Sequence, residues 1–299
     1  MSITISETKL PLQLFCRGKV RDTYNLDGKL LIVSTDRLSA FDVVLPDPIP
    51  DKGLVLNQLS RFWFEKTGHV IANHLIAPVD AIDSLKRYFP DKAAPPDYLV
   101  GRSMVTIKAE RVPVECVVRG YISGSAWAEY KKSGTISGMP APKNLQESQE
   151  LPQAIFTPTT KAETGHDEPL TKKELEKLVG KDTADKLEES SLAVYQYARD
   201  YARGRGVIIA DTKFEFGFAD GKLILIDELL TPDSSRFWDA SQYVVGRSQP
   251  SFDKQPVRDW LVDSGWNKEP PAPKLPPEVI EATTRRYREA YQRLAGKAL

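Results

Sequence analysis

Histidine and cysteine are scarce in this 299-residue chain, which has three of the first and two of the second. His69, His74 and His166 show no metal-ligand spacing, which argues against a zinc centre built from them. Cys16 and Cys116 each stand in an apolar, strand-like stretch. They are expected to be reduced, buried core residues of a cytoplasmic protein rather than a disulfide or a nucleophile. Net charge is absent too, since 41 lysines and arginines balance 41 aspartates and glutamates. A neutral chain is not expected to bind nucleic acid or a membrane surface in general, so any positive charge that holds an anion must be local. No apolar run approaches the ~20 residues that span a bilayer. The opening MSITISETKLPLQLF lacks the basic region and long apolar core of a signal peptide. Internal repeats and long low-complexity segments are missing as well.

What is present is ordinary for a globular protein: 41% hydrophobic and 27% charged residues, in a chain long enough for one large domain or two smaller ones. Proline-rich stretches at 90–98, 138–153 and 267–277 read as surface connections. The first 50 residues alternate strand-like runs (LQLFC, KLLIVST, FDVVL) with turn residues such as Asp27-Gly28. GLVLNQLSRFWFEKTG then puts Val55, Leu59, Phe62 and Trp63 on one helical face. SMVTIKAE and VPVECVVRGY read as a further strand pair around 103–121. Helices gather later: Thr171 and Glu174 have capping-box spacing, 182–203 is helical up to Gly204, and a C-terminal helix starts at Pro277. This order predicts an α+β fold with a sheet-rich N-terminal lobe.

The segment IIADTKFEFGFADGKLILIDELL is the most telling. Strand periodicity puts Asp211, Lys213 and Glu215 on one face and Thr212, Phe214 and Phe216 on the other. The aromatic face suits a core; the charged face is either a solvated surface or the wall of a site. Asp220-Gly221 predicts a hairpin between 208–218 and 222–228. A strict two-residue loop sets Phe214 opposite Asp227, whereas a longer loop or a bulge sets Glu215 there. Two carboxylates side by side require a cation, and Mg²⁺ favours one or two carboxylates plus phosphate oxygens.

Weaker signals for anion binding lie elsewhere. RGKVRDTY carries Arg17, Lys19 and Arg21 around Gly18, without the upstream glycine of a Walker A loop. ECVVRGYISGSAW ends a strand in Arg119, followed by a loop with Gly124 and Ser125, which is either a phosphate pocket or an ordinary turn. VTIKAE is weakly like a protein-kinase lysine strand, but HRD, DFG and GxGxxGxV motifs are all absent, and Lys108 reads as pointing out from a core strand. FTPTTKAETGHDEPLT (Lys161, Glu163, His166, Asp167) and STDRLSAFD (Asp36, Ser39, Asp42) are loop-like.

Together, RGKVRDTY, STDRLSAFD, DKGLVLNQLSRFWF, VPVECVVRGYISGSAW, TPTTKAETGHDE, DTKFEFGF and DELLTPDSSRFWD resemble the SAICAR synthetase family of purine biosynthesis, in family order from residue 17 to 239. Length and insertions resemble the single-function fungal form. Asp51 departs from the pattern, which has glycine before the lysine. The resemblance implies an ATP-dependent carbon–nitrogen ligase. It joins L-aspartate to the carboxylate of 5-amino-1-(5-phosphoribosyl)imidazole-4-carboxylate (CAIR), giving SAICAR, ADP and phosphate through an acyl phosphate. A small-molecule kinase with a similar ATP lobe is the alternative.

The resemblance also implies a division into an ATP-binding lobe (1–114) and a larger mixed α/β lobe for substrate and metal (115–299), with the site in the cleft between them. Lys19, Arg21, Arg111, Val112, Glu115 and Lys161 are implied on the ATP side. Arg119, Ser125, Arg236 and Asp167 are implied on the substrate side, with Asp36, Ser39 and Asp42 as an acceptor loop. Lys213, Lys161 and Asp211 are the implied catalytic residues, and Glu215 and Asp227 the Mg²⁺ ligands. The expected state is a cytoplasmic protein, monomer rather than homo-oligomer, that engages neither nucleic acid nor membrane.

Overall fold

The computed structural model describes residues 3–90, 93–161 and 167–299. Its first sheet is antiparallel, built from β1 (Leu14–Arg17), β2 (Arg21–Leu26), β3 (Lys29–Ser34), β6 (Leu75–Pro78) and β7 (Ser103–Ile107) in the order β1-β2-β3-β7-β6. Asp27 and Gly28, both with positive φ, make the tight β2–β3 turn. Between β3 and β6 lie a small hairpin, β4 (Ser39–Ala40) with β5 (Val43–Val44), and helix α1 (Lys52–Thr67). Alternation along β3 decides the packing. Leu31 and Val33 join Tyr24, Leu26 and Val105 on one face, while Ile32 and Met104 meet Val55, Leu56, Leu59 and Trp63 of α1 on the other.

A second sheet has the order β11-β8-β13-β14. It comprises β8 (Glu110–Tyr121), β11 (Glu150–Phe156), β13 (Val207–Ala219) and β14 (Lys222–Ile226), with β12 (Thr159–Thr160) added on β8 and β15 (Ser235–Asp239) on β13. Helix α2 (Gly124–Ser133) and a hairpin of β9 (Thr135–Ile136) with β10 (Met139–Pro140) lie between β8 and β11. Four further helices follow: α3 (Lys172–Val179), α4 (Lys181–Arg203), α5 (Gln255–Asp263) and α6 (Pro277–Ala295). Thr171 and Glu174 form the expected capping box of α3. Val114, Cys116, Val118, Phe214 and Phe216 bury one face of the second sheet against Leu187, Val194 and Tyr195 of α4 and Tyr287 and Leu294 of α6. One continuous core thus joins both sheets, and the opposite face of the second sheet is left to polar groups. No helix of the described residues is long and apolar enough to cross a membrane.

Three expectations need correction. The runs at 103–107 and 110–121 are not a strand pair, because β7 pairs with β3 and β6 whereas β8 joins the second sheet. FDVVL keeps only Val43–Val44 as strand, since Phe41 and Asp42 both take positive φ. Cys16 is exposed on edge strand β1, and only Cys116 is buried.

Candidate active site

The register of the second sheet turns the charged face of β13 into a stripe of opposed charges. Asp211 lies between Arg119 on β8 and Arg236 on β15, and two positions along, Lys213 faces Val117. Two further, Glu215 faces Glu115 directly. The aromatic alternates Phe214 and Phe216 are fully buried, so the period-two reading of this strand holds.

At the Asp211 end, Arg236 makes a close ion pair with the carboxylate. Arg119 Nη1 lies 3.4 Å from Asp211 Oδ2, and Ser123 Oγ donates to the same oxygen at 3.3 Å. Asp211 raises the pKa of Arg236, whereas burial lowers that of Arg119 despite the same carboxylate. Two guanidinium groups around one carboxylate leave a surplus positive charge. With Ser125, Ser234 and Ser235 they line a cavity of 170 Å³. Gly124, at φ +55, is packed under Arg236: a Cβ there would lie 2.4 Å from Nη2. The glycine is what lets the guanidinium lie flat on the loop.

The Glu215 end opens into a cavity of 540 Å³. Like carboxylates opposite each other on a ladder repel, and here Lys161 resolves the conflict. Its Nζ makes a close contact with Glu115 and donates to Glu215 Oε1 at 2.8 Å. Lys213 Nζ reaches Glu115 Oε1 at 3.1 Å. Glu115 is accordingly more acidic than usual: burial opposes its ionisation, but Lys213 and Lys161 outweigh burial. Glu215 goes the other way, its pKa raised by burial and by Asp227.

Asp227 is not the cross-strand partner of Glu215. The Asp220-Gly221 loop is a strict two-residue turn, which sets Glu215 opposite Ile226. The ladder stops there, because Asp227 adopts φ +67 and leaves the strand. The reversal brings its carboxylate into the same cavity as Glu215. Arg21 Nη2 donates to Asp227 Oδ2 at 2.5 Å and Arg21 Nη1 lies 3.2 Å from Glu228 Oε2, tying β2 of the first sheet to this corner. Burial works against ionisation of Asp227, yet Arg21 and Lys161 hold its pKa below the ordinary carboxylate value. Among the described residues no three His, Cys, Asp or Glu side chains gather closely enough to hold an ion alone.

Lys19, Ser39, Asp42, Arg111 and Asp167 also line the larger cavity, with Lys19 Nζ 2.5 Å from Asp42 Oδ1. Val112 does not present its side chain there, being buried in the core, so only its backbone can serve a ligand. Asp36 is a correction. Its carboxylate is buried and accepts from the amides of Ile5 and Gly53 and from Arg102, which makes it a structural fastening rather than a substrate contact. Glu163 and His166 lie outside the described residues. Sequence reasoning missed Glu228, Asp233, Lys254 and Arg258, all of which line the larger cavity. Glu228 and Asp233 stood inside the motif DELLTPDSSRFWD; Lys254 and Arg258 carried no signal beyond their charge. Lys213, Asp233 and Arg258 border both cavities.

Comparison with known proteins gives the family of the chain. The SAICAR synthetase family model matches residues 14–273. The chain belongs to the SAICAR synthetase family. It is 50% identical to the phosphoribosylaminoimidazole-succinocarboxamide synthase of Maridesulfovibrio salexigens, over 100% of this chain and 99% of that one. It is 52% identical to the enzyme of that name from Desulfatibacillum aliphaticivorans, with the same coverage. The SAICAR synthase of Saccharomyces cerevisiae, solved with SAICAR, superposes with a TM-score of 0.90 at 44% identity over 99% of both chains. The full-length likeness therefore extends to bacterial and yeast relatives alike. A SAICAR synthetase of Pyrococcus horikoshii is more distant, at a TM-score of 0.67 and 26% identity. The enzyme is an ATP-dependent ligase that joins L-aspartate to CAIR in purine biosynthesis, and the kinase alternative falls away.

Proposed function

We propose that the ligase divides its work between the two cavities. The larger one takes ATP, with Lys19, Arg21 and Lys161 toward its phosphates and Arg111, the Val112 backbone and Glu115 toward the base side. The smaller one takes CAIR, its phosphate against Arg119, Arg236 and Ser125 and its sugar and base side toward Asp211. The observation that carries this reading is the shared wall of Lys213, Asp233 and Arg258. A carboxylate held in one cavity there meets a phosphoryl group held in the other.

Glu215 and Asp227 fit a divalent cation. Both face the larger cavity, and the pKa of Glu215 is raised first by burial and then by the neighbouring Asp227 charge, both of which a bound cation would offset. Two carboxylates completed by substrate oxygens match the habits of Mg²⁺. Bound there, Mg²⁺ would neutralise charge on the phosphates of ATP. Lys213, raised in pKa chiefly by Glu115 against the cost of burial, stays protonated and donates to the oxygens of the phosphoryl group in transit. Lys161, just past the end of β12, does the same.

The steps balance simply. A CAIR carboxylate oxygen bonds to the γ-phosphorus and ADP leaves. The aspartate amine then bonds to the acyl carbon, and phosphate leaves with that oxygen while the amine gives up its proton. Asp167, Ser39 and Asp42 rim the cavity where the amine donor enters. CAIR labelled with oxygen-18 in its carboxylate should deliver one label to the released phosphate. Labelled SAICAR formed beside wholly unlabelled phosphate would rule this route out.

We place the enzyme in the cytoplasm as a monomer. One chain builds both cavities, and the three substrates are small anions. Sedimentation of the purified protein tests the monomer.

A further inference from the structure

Lys52 lines neither cavity, and its side chain is wholly buried. Its Nζ lies 2.7 Å from Asp233 Oδ2 without a well-directed hydrogen bond, so the contact is chiefly charge on charge. On the other side of the carboxylate, the buried Tyr287 of α6 donates its hydroxyl to Asp233 Oδ1 at 2.5 Å. Lys254, at 3.8 Å from that oxygen, reaches the larger cavity. Asp233 is thus a carboxylate of the wall shared by both cavities, gripped from behind by two residues that touch no cavity.

The loop it anchors bears the chemistry of both sides. Asp227 and Glu228 stand at one end, Ser234, Ser235 and Arg236 at the other, and Thr231 Oγ1 donates to Glu228 Oε2 at 2.7 Å between them. Lys52 is itself pinned by its neighbours. Asp51 before it takes φ +63, a left-handed conformation that favours glycine, and closes an ion pair with Arg288 one position beyond Tyr287 on α6. Gly53 after it donates its amide to Asp36 Oδ1, and a Cβ there would lie 2.3 Å from the Ser34 carbonyl oxygen. Asp51, which departs from the family pattern, therefore keeps the backbone shape that glycine would adopt and adds a fastening to α6.

We propose that Lys52 and Tyr287 are positioning residues: by gripping Asp233 they set the 227–236 loop, and with it the spacing between the two cavities at which the activated carboxylate is formed and attacked. The inference rests on the division of substrates proposed above. A purely structural role would lower the amount of folded enzyme and leave its turnover intact, whereas misplacing reacting groups lowers kcat with little change in substrate binding.

The test is steady-state kinetics per folded enzyme, with thermal melting alongside. Tyr287→Phe keeps the charge pair and removes one bond, and should lower kcat about ten-fold with the KM values for ATP and CAIR within about three-fold of wild type. Lys52→Met should lower kcat about a hundred-fold with the same unmoved KM values. The double variant Lys52→Met with Asp233→Asn removes both charges. It should regain most of the melting temperature lost in Lys52→Met but not the turnover. Wild-type kcat in Tyr287→Phe, or turnover regained with stability in the double variant, would overturn the proposal. If Lys52→Met does not fold, Tyr287→Phe decides alone. Arg236→Ala, run in parallel, reports separately on the substrate division, since an unchanged KM for CAIR would overturn that reading without touching the Tyr287 result.

Discussion

The two cavities on the charged face of β13 are built from the same strand and differ in how their charges are balanced. In the smaller one, Arg119, Lys213, Arg236 and Arg258 outnumber Asp211, Asp233 and Asp253, and Asp211 sits between guanidinium groups on both neighbouring strands, so a positive surplus faces the ligand. The larger one interleaves Glu115, Glu215, Asp227, Glu228 and Asp233 with Arg21, Lys161, Lys213 and Lys254, so that charges of both signs line it in balance. An arginine-rich pocket is preorganised for a phosphate that does not react. A pocket of interleaved carboxylates and lysines is suited to charge that moves during the reaction, with a cation to complete it. The contrast is what the proposed division builds on, with the inert phosphate on one side and phosphoryl transfer on the other.

The comparison can be broken most severely at Lys213, which borders both cavities. Lys213→Met should lower kcat by roughly 10²–10³-fold, the usual effect of losing one preorganised donor, while the KM for CAIR moves little. A large rise in that KM with kcat preserved would make Lys213 a binding group of the smaller cavity instead.

A smaller effect sharpens the arginine side. Gly124→Ala places a methyl carbon against Arg236 in a backbone conformation that alanine tolerates poorly. Displacing the guanidinium should raise the KM for CAIR about ten-fold, the cost of one weakened charge-assisted bond, with the KM for ATP unchanged. Equal changes in both would show that the two cavities are not separable.

The mildest effect at neutral pH concerns the support behind Asp227. His74 is buried against Phe64, and its backbone amide donates to the Leu225 carbonyl, joining the first sheet to β14. Burial pushes its pKa down from 6.5 to about 4. The unfolded chain then binds more protons than the fold between those values, so stability is complete above about 6.5 and falls as pH drops toward 4. The loss should reach at most roughly 3 kcal/mol. Chemical denaturation across that range should show the slope in wild type, and His74→Phe should flatten it. An unchanged slope in the variant would assign the acid sensitivity elsewhere.

Much of this was legible in the sequence, and the parts that were not share a cause. Period two along β13 and the Asp220-Gly221 turn gave the charged face and its hairpin, because side-chain alternation and turn chemistry are local. The meeting of Glu215 with Asp227 was expected through cross-strand pairing and arises through a left-handed residue that ends the ladder. No side-chain pattern announces such a reversal. The strands at 103–107 and 110–121 looked like a hairpin because so few residues separate them, yet the chain uses that gap to change sheets. Cys16 looked buried because LQLFC is apolar, but β1 is an edge strand whose side chains are all exposed. Lys52 carried no signal of its own in the sequence, since its partners Asp233 and Tyr287 lie far along the chain. The family resemblance supplied what spacing could not, namely the proposal of which anions the local cations serve.

The most direct test of the divided site is calorimetric binding of Mg-ADP and of CAIR to two variants, Glu215→Gln and Arg236→Ala, with wild type alongside. The account predicts a crossed result. Glu215→Gln weakens Mg-ADP and leaves CAIR unchanged, whereas Arg236→Ala weakens CAIR by about ten- to a hundred-fold and leaves Mg-ADP unchanged. Either variant weakening both ligands alike, or the two effects exchanged, would contradict it.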